Sequence, residues 1–142
     1  MPATGRQRWI VEATWGAATT VPSSYTFKQI SPDGKAINAK AALAIDLSDV
    51  AMIGVIFPAT IAAAAVSLKF TDAPTIDGTY VPSLDENGND IVVSGVQSSK
   101  SKSRSINLAL CSRFFVKPVF MAVDGSTPAA PGAVTVTFLI KE

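Results

Sequence analysis

The chain contains no histidine. That removes Ser–His–Asp and Cys–His nucleophile activation, and every metal site that depends on imidazole. Its single cysteine, Cys111, permits neither an internal disulfide nor a Cys-x-x-Cys site. Within the apolar stretch Leu108–Phe115 it reads as a small core hydrophobe and not as a reactive thiol. Charge is also scarce: 16% of 142 residues, with 12 Lys+Arg against 11 Asp+Glu for a formal net charge of +1. No global pull toward nucleic acid or an anionic membrane follows from that balance. A P-loop and a Gly-x-Gly-x-x-Gly turn are both missing. Together these absences argue strongly against most enzymes, and no catalytic residue, metal or cofactor is expected.

What the chain has in excess is apolar surface. Hydrophobic residues make up 48%, and a chain of this length builds one domain that cannot hide them all, so some are expected to face a partner. Val50–Leu68 runs uncharged between Asp49 and Lys69 and is long enough to cross a bilayer. Pro58 near its middle, Gly54 before it and the alanines of Ala59–Ala65 argue instead for a buried strand, Met52–Phe57, followed by a turn or short helical link. No membrane span is therefore expected. A signal peptide is not expected either, because Glu12 interrupts the one candidate apolar region.

Periodicity favours strands. In Ala133–Ile140, Val134, Val136, Phe138 and Ile140 point one way and Thr135 and Thr137 the other. Ala65–Thr71 repeats this with Val66, Leu68 and Phe70, and Ser103–Leu110 with Ile106, Leu108 and Leu110. Phe114–Phe120 is apolar on both faces, with Pro118 marking a bulge or an edge. Arg8–Thr14, Tyr25–Ile30, Ala42–Leu47, Gly78–Leu84 and Ile91–Val96 complete the set. Turns at Pro32-Asp33-Gly34, Asp77-Gly78, Asn87-Gly88 and Asp124-Gly125 separate them. Ala39–Leu43 and Ala59–Ala65 could each form a turn or two of helix. Some nine short strands in one domain imply an all-β fold, a single antiparallel sandwich or barrel. Residues 1–22, ending at Thr20-Val21-Pro22, stand apart as an extended N-terminal arm, leaving 23–142 as the sandwich domain.

Three constellations invite a functional reading. Asp85-Glu86-Asn87-Gly88-Asn89-Asp90 spaces oxygen ligands as a calcium loop does, but has Asp90 where glycine belongs and Val96 where the closing glutamate belongs. A hairpin turn explains the same residues more simply. Asp72, Asp77, Asp85 and Asp90 could supply paired acids, yet most sit beside turn residues. Ser98–Arg104 gathers Lys100, Lys102 and Arg104 among serines, a candidate contact for an acidic partner or, failing that, a solvated loop. No aromatic interleaves it, so specific nucleic-acid binding is not expected. The arm carries both tryptophans, Trp9 and Trp15, which either dock on their own core or anchor a neighbouring subunit.

From about Leu43 to Ile140 the order of features is similar to that of small tailed-bacteriophage virion proteins, the jelly-roll-like capsid decoration (cement) proteins. The residues that carry the likeness are Ala44-Ile45-Asp46-Leu47-Ser48, Ile56-Phe57-Pro58-Ala59, Val66-Ser67-Leu68-Lys69-Phe70 and Asp77-Gly78-Thr79-Tyr80-Val81-Pro82-Ser83-Leu84. Asp85-Glu86-Asn87-Gly88, Ser105-Ile106-Asn107-Leu108 and Arg113-Phe114-Phe115-Val116-Lys117-Pro118 follow, before the final strand. The chain departs from that pattern at Thr60–Ala65, where the family often has a tryptophan, and in the longer loop Asp72–Ile76. The resemblance implies a jelly-roll-like β-sandwich on the virion surface, assembled in the bacterial cytoplasm. It also implies the major capsid protein as partner and a homo-oligomer, a trimer first among the possibilities. Trp9, Trp15, Lys100, Lys102 and Arg104 are the candidate contact residues. A neck, tail or fibre-base location and a carbohydrate-binding module are the rival readings.

Overall fold

The computed structural model describes residues 7–106 and 113–142. Cys111 and the second half of the strand expected at Ser103–Leu110 lie outside the described residues. Among the described residues eleven strands form two antiparallel sheets, a β-sandwich with no α-helix.

The first sheet has six strands in the order β3-β2-β1-β11-β5-β9. These are β1 (Arg8–Trp15), β2 (Ser24–Ile30), β3 (Ala36–Ala42), β5 (Ala51–Ile56), β9 (Ser103–Ser105) and β11 (Val134–Lys141). The second sheet runs β4-β10-β6-β7, with β8 also pairing β6. It comprises β4 (Ile45–Asp46), β6 (Ser67–Ala73), β7 (Val81–Pro82), β8 (Val92–Ser94) and β10 (Phe115–Met121).

Alternation decides which side chains the sheets share. Val11, Ala13 and Trp15 of β1 and Val136, Phe138 and Ile140 of β11 are buried, paired Val11 with Phe138 and Ala13 with Val136. Leu68 and Phe70 of β6 and Val116 and Phe120 of β10 meet them from the other side. Two aromatic contacts join the layers: Trp15 to Phe120, 4.8 Å between ring centroids, and Phe70 to Phe138 at 6.3 Å, both edge-to-face.

Several expectations need correction. Residues 8–15 are no extended arm. They form β1, which pairs along its length with β11 on one side and with β2 on the other. The boundary expected at residue 22 thus has no counterpart, because β1 is as much a part of the sheet as β11. The helix turn expected at Ala39–Leu43 is replaced by β3. Alanine favours helix only when no stronger pairing competes, and β2 supplies a ladder. A register shift opposite Phe27–Gln29, with Asn38 at φ 54°, puts a bulge in this outermost strand. Ala59–Ala65 is likewise not helical. It is a loop fastened by Gln97, whose Nε2 donates to the carbonyls of Ile61, Ala62 and Ala65 at 3.4, 2.8 and 2.9 Å. Val50–Leu68 is therefore split between the sheets, and no helix among the described residues is long and apolar enough to cross a membrane.

Pro118 lies in unbroken register with Phe70 of β6, without a bulge. On the opposite side of β10, Pro118 falls between the pairing of Val116 with Ile45 and the bridge of Met121 to Pro128, where no ladder needs its N–H.

A candidate binding groove

The two sheets are unequal, and their mismatch makes the site. β1, β2 and β11 run for seven or eight residues, whereas β4 and β7, which border the second sheet, have two each. At the Trp15 end the second sheet covers the first. At the Trp9 end it does not reach, and an open groove of about 780 Å³ remains.

Its floor is the continuation of the core face. Trp9 follows the parity of Val11 and Trp15 and pairs with Gln29 and Ile140. Phe27, one rung along, pairs with Val11 and Lys40. Trp9 and Phe27 are half-buried and line the groove with Ala42 and Ile140. The opposite wall is the β3–β5 connection, with Leu43, Ala44 and Val50, joined by Ile76. Leu43 is 72% exposed and Ile76 is exposed as well, whereas Ala44 and Ile140 are buried beneath them.

The rim is polar and largely fixed in place. Asn38 Nδ2 donates to Gln29 Oε1 at 3.3 Å, and Gln29 Nε2 donates to Gln7 Oε1 at 2.8 Å, forming a ladder of amides. The Gln7 amide donates to Glu142 Oε1 at 3.3 Å, and Glu142 N–H to the Gln7 carbonyl at 3.0 Å. Asp46 Oδ1 accepts from the amide and hydroxyl of Ser48 at 2.9 and 2.7 Å. The Ile76 turn is held by Tyr80, whose hydroxyl donates to the Ile76 carbonyl at 2.8 Å and whose ring lies 4.3 Å from Lys117 Nζ. Burial, and secondarily Asp77, push the Tyr80 phenol above its ordinary value. Tyr25, on the core side of β2, is 3% exposed and its hydroxyl has no partner among the described residues. Burial first, and Tyr80 second, push that phenol well up.

The residues singled out from the sequence part company here. Trp9 lines the groove. Trp15 is 1% exposed, packs on Phe120 and donates through Nε1 to the Thr20 carbonyl at 3.1 Å, so it is a core residue and offers a partner nothing. The two lie on one face of β1, roughly 20 Å apart at the usual strand rise. Lys100 and Lys102 follow a short 3-10 turn, Gln97–Ser99, as half-buried and exposed residues respectively. Arg104 is spent internally: its Nη1 donates to the Ser94 carbonyl at 2.9 Å and to Ser99 Oγ at 2.7 Å. β11 and β5 separate this edge from β1, so the structure does not bring the basic residues to the tryptophans.

The acidic constellations resolve into structural roles. Asp85 Oδ1 accepts from the amides of Asn87 and Asn89 at 2.9 and 3.0 Å, and Gly88 sits at φ 80°, making the hairpin turn. Asp90 pairs with Lys69 at 3.3 Å and Asp72 with Arg113 at 3.7 Å. No group of three or more Cys, Asp or Glu side chains is placed to hold a metal among the described residues.

Sequence reasoning missed Phe27, Lys40, Leu43, Asp46, Asp49 and Ile76 as groove residues. They come from three separate stretches, at residues 27, 40–49 and 76, joined only by the fold and by the shortness of β4. Trp9 alone carried a signal, as the next inward position on a strand already alternating. Comparison with protein-family models, with curated proteins and with solved structures gave no match.

Proposed function

We propose that the chain is a structural protein of a tailed-phage virion, with jelly-roll-like winding, that binds the outer capsid surface and cements neighbouring capsid subunits. The observation that carries this reading is the open, aromatic-floored groove with Trp9 at its base, a surface built for contact with another molecule. The likeness of residues 43–140 to decoration proteins supplies the rest. Exposed apolar side chains elsewhere, Phe114 at 53% and Val123 at 89%, fit a subunit that covers surface on assembly.

The mechanism is mechanical. A homo-oligomer, such as a trimer, that contacts several capsid subunits at once binds the assembled shell and not the separated subunits. Mass action then raises the free energy needed to pull the shell apart. The contact is Trp9 with the groove around it, and Lys102 on the far edge is a second candidate.

Quantitative mass spectrometry of purified particles tests this reading. A copy number comparable with that of the major capsid protein supports cementing. A handful of copies moves the chain to the neck, tail or fibre base, and absence from particles rejects the virion reading. Trp9→Ala is the variant to add back to undecorated shells, with reduced occupancy expected. Trp15→Ala would report only unfolding.

A further inference from the structure

We infer that the groove takes an extended, cationic–apolar segment of a partner polypeptide; this refines the contact reading above by naming the chemistry of what binds there. Three carboxylates line the groove, those of Asp46, Asp49 and Glu142, against one ammonium, Lys40. None of the three pairs with a cation among the described residues. The lining thus carries a formal charge of −2 (one cation less three anions) on a chain whose net charge is +1. Outside the groove, Glu12 pairs with Lys28 at 2.5 Å, Asp90 with Lys69 and Asp72 with Arg113, while Asp85 and Asp124 are taken up by their own turns. A net-acidic rim over a half-exposed aromatic floor complements a partner that brings positive charge and large apolar groups together.

The rim is also prepared. Asp46 is held by Ser48 and Glu142 by the Gln7 amide, while the amide ladder fixes Gln7, Gln29 and Asn38. These held side chains have little freedom left to lose on binding, which favours a preformed site. An extended strand places every second side chain on one face. Apolar residues on that face meet Trp9 and Phe27, and the long stems of intervening Lys or Arg residues reach back to the rim.

The test uses three acetylated, amidated nonapeptides with valine at every second position and lysine, serine or glutamate between them. Binding to the full chain is read by calorimetry at low and moderate salt. The lysine peptide is expected to bind, more weakly as salt rises, and the glutamate peptide not at all. Asp49→Asn, at an exposed carboxylate with no hydrogen bond among the described residues, should weaken the lysine peptide about threefold to fivefold. Lys40→Glu should strengthen it by a similar factor. Trp9→Ala should weaken it by about tenfold or more. Equal binding of the three peptides, no binding by any, or indifference to both Asp49→Asn and Lys40→Glu overturns the inference. The same variants added to capsid shells separate it from the virion reading. Lost peptide binding by Trp9→Ala with retained shell occupancy leaves the cationic-segment site standing and removes the groove from the shell contact. Shell occupancy that depends on Trp9, with no peptide bound, does the reverse and overturns the inference.

Discussion

Trp9 and Trp15 occupy the same face of the same strand, six residues apart, and have opposite fates. Around Trp15 the second sheet is complete: Phe120 of β10 packs on its indole and Phe57 packs on Phe120 in turn, at 6.5 Å between centroids. Around Trp9 the strand of the second sheet that reaches the groove, β4, is two residues long, and the same side-chain type is left half in water. A strand therefore does not determine whether its inward residue is core or site. The length of the opposing strand does.

The largest expected effect breaks the comparison at its closed end. Trp15→Ala opens a cavity under Phe120 and removes the Nε1 bond to Thr20, and should cost about 3–5 kcal/mol in denaturant unfolding. Trp9→Ala should cost only about 1 kcal/mol in the same measurement, since the groove already admits water there. Equal losses would mean that the Trp9 end is core as well.

Tyr25 sharpens the contrast from within β2. Its hydroxyl is buried without a partner among the described residues, so Tyr25→Phe should stabilise the fold by about 1 kcal/mol at neutral pH. The phenol ionises near its ordinary 10.0 in the unfolded chain and only at higher pH in the folded one. The unfolded state thus gives up its proton first, and stability falls as pH rises beyond 10 by up to about 1.4 kcal/mol per pH unit. Tyr25→Phe should remove much of that alkaline slope, and an unchanged slope would place its origin elsewhere.

Gln97 holds the loop that closes the covered end. Gln97→Ala should cost about 1 kcal/mol, because the three carbonyls it serves regain water, and should speed proteolysis within residues 59–65. The smallest effect belongs to Asp124. Its carboxylate accepts from the Thr127 hydroxyl and the amides of Thr127 and Ser126, which hold it at about 2. Its contribution is present above the ordinary 3.8 and is lost as pH falls through about 2. Asp124→Asn should flatten acid unfolding in that window.

How much of this was legible depended on what each residue's neighbours demand. β6 and β11 declare themselves because one face of each is buried by the other sheet, and Leu68, Phe70, Val136 and Phe138 must then alternate with polar residues. β3 is silent because nearly all of it is exposed, and alanines along Ala36–Ala42 record no burial on either face. The Asp85 turn was readable since its chemistry is local. Trp15 looked like part of an arm because the composition around Thr19-Thr20-Val21-Pro22 marks a loop, while the pairing with β11, whose partners lie more than a hundred positions away, leaves no local trace. The groove depends on the shortness of β4, and no single segment encodes an unfilled space between two sheets.

The bulge in β3 has a consequence for crowding. A seven-residue strand at the margin of a six-stranded sheet, rich in alanine and carrying one lysine, offers free backbone donors and acceptors to any identical strand nearby. Asn38 in the left-handed region bends that margin and interrupts the row of groups that a second copy would match. Edge-to-edge pairing of two copies through this margin, the first step of an open ribbon, is thereby disfavoured even where chains are crowded together.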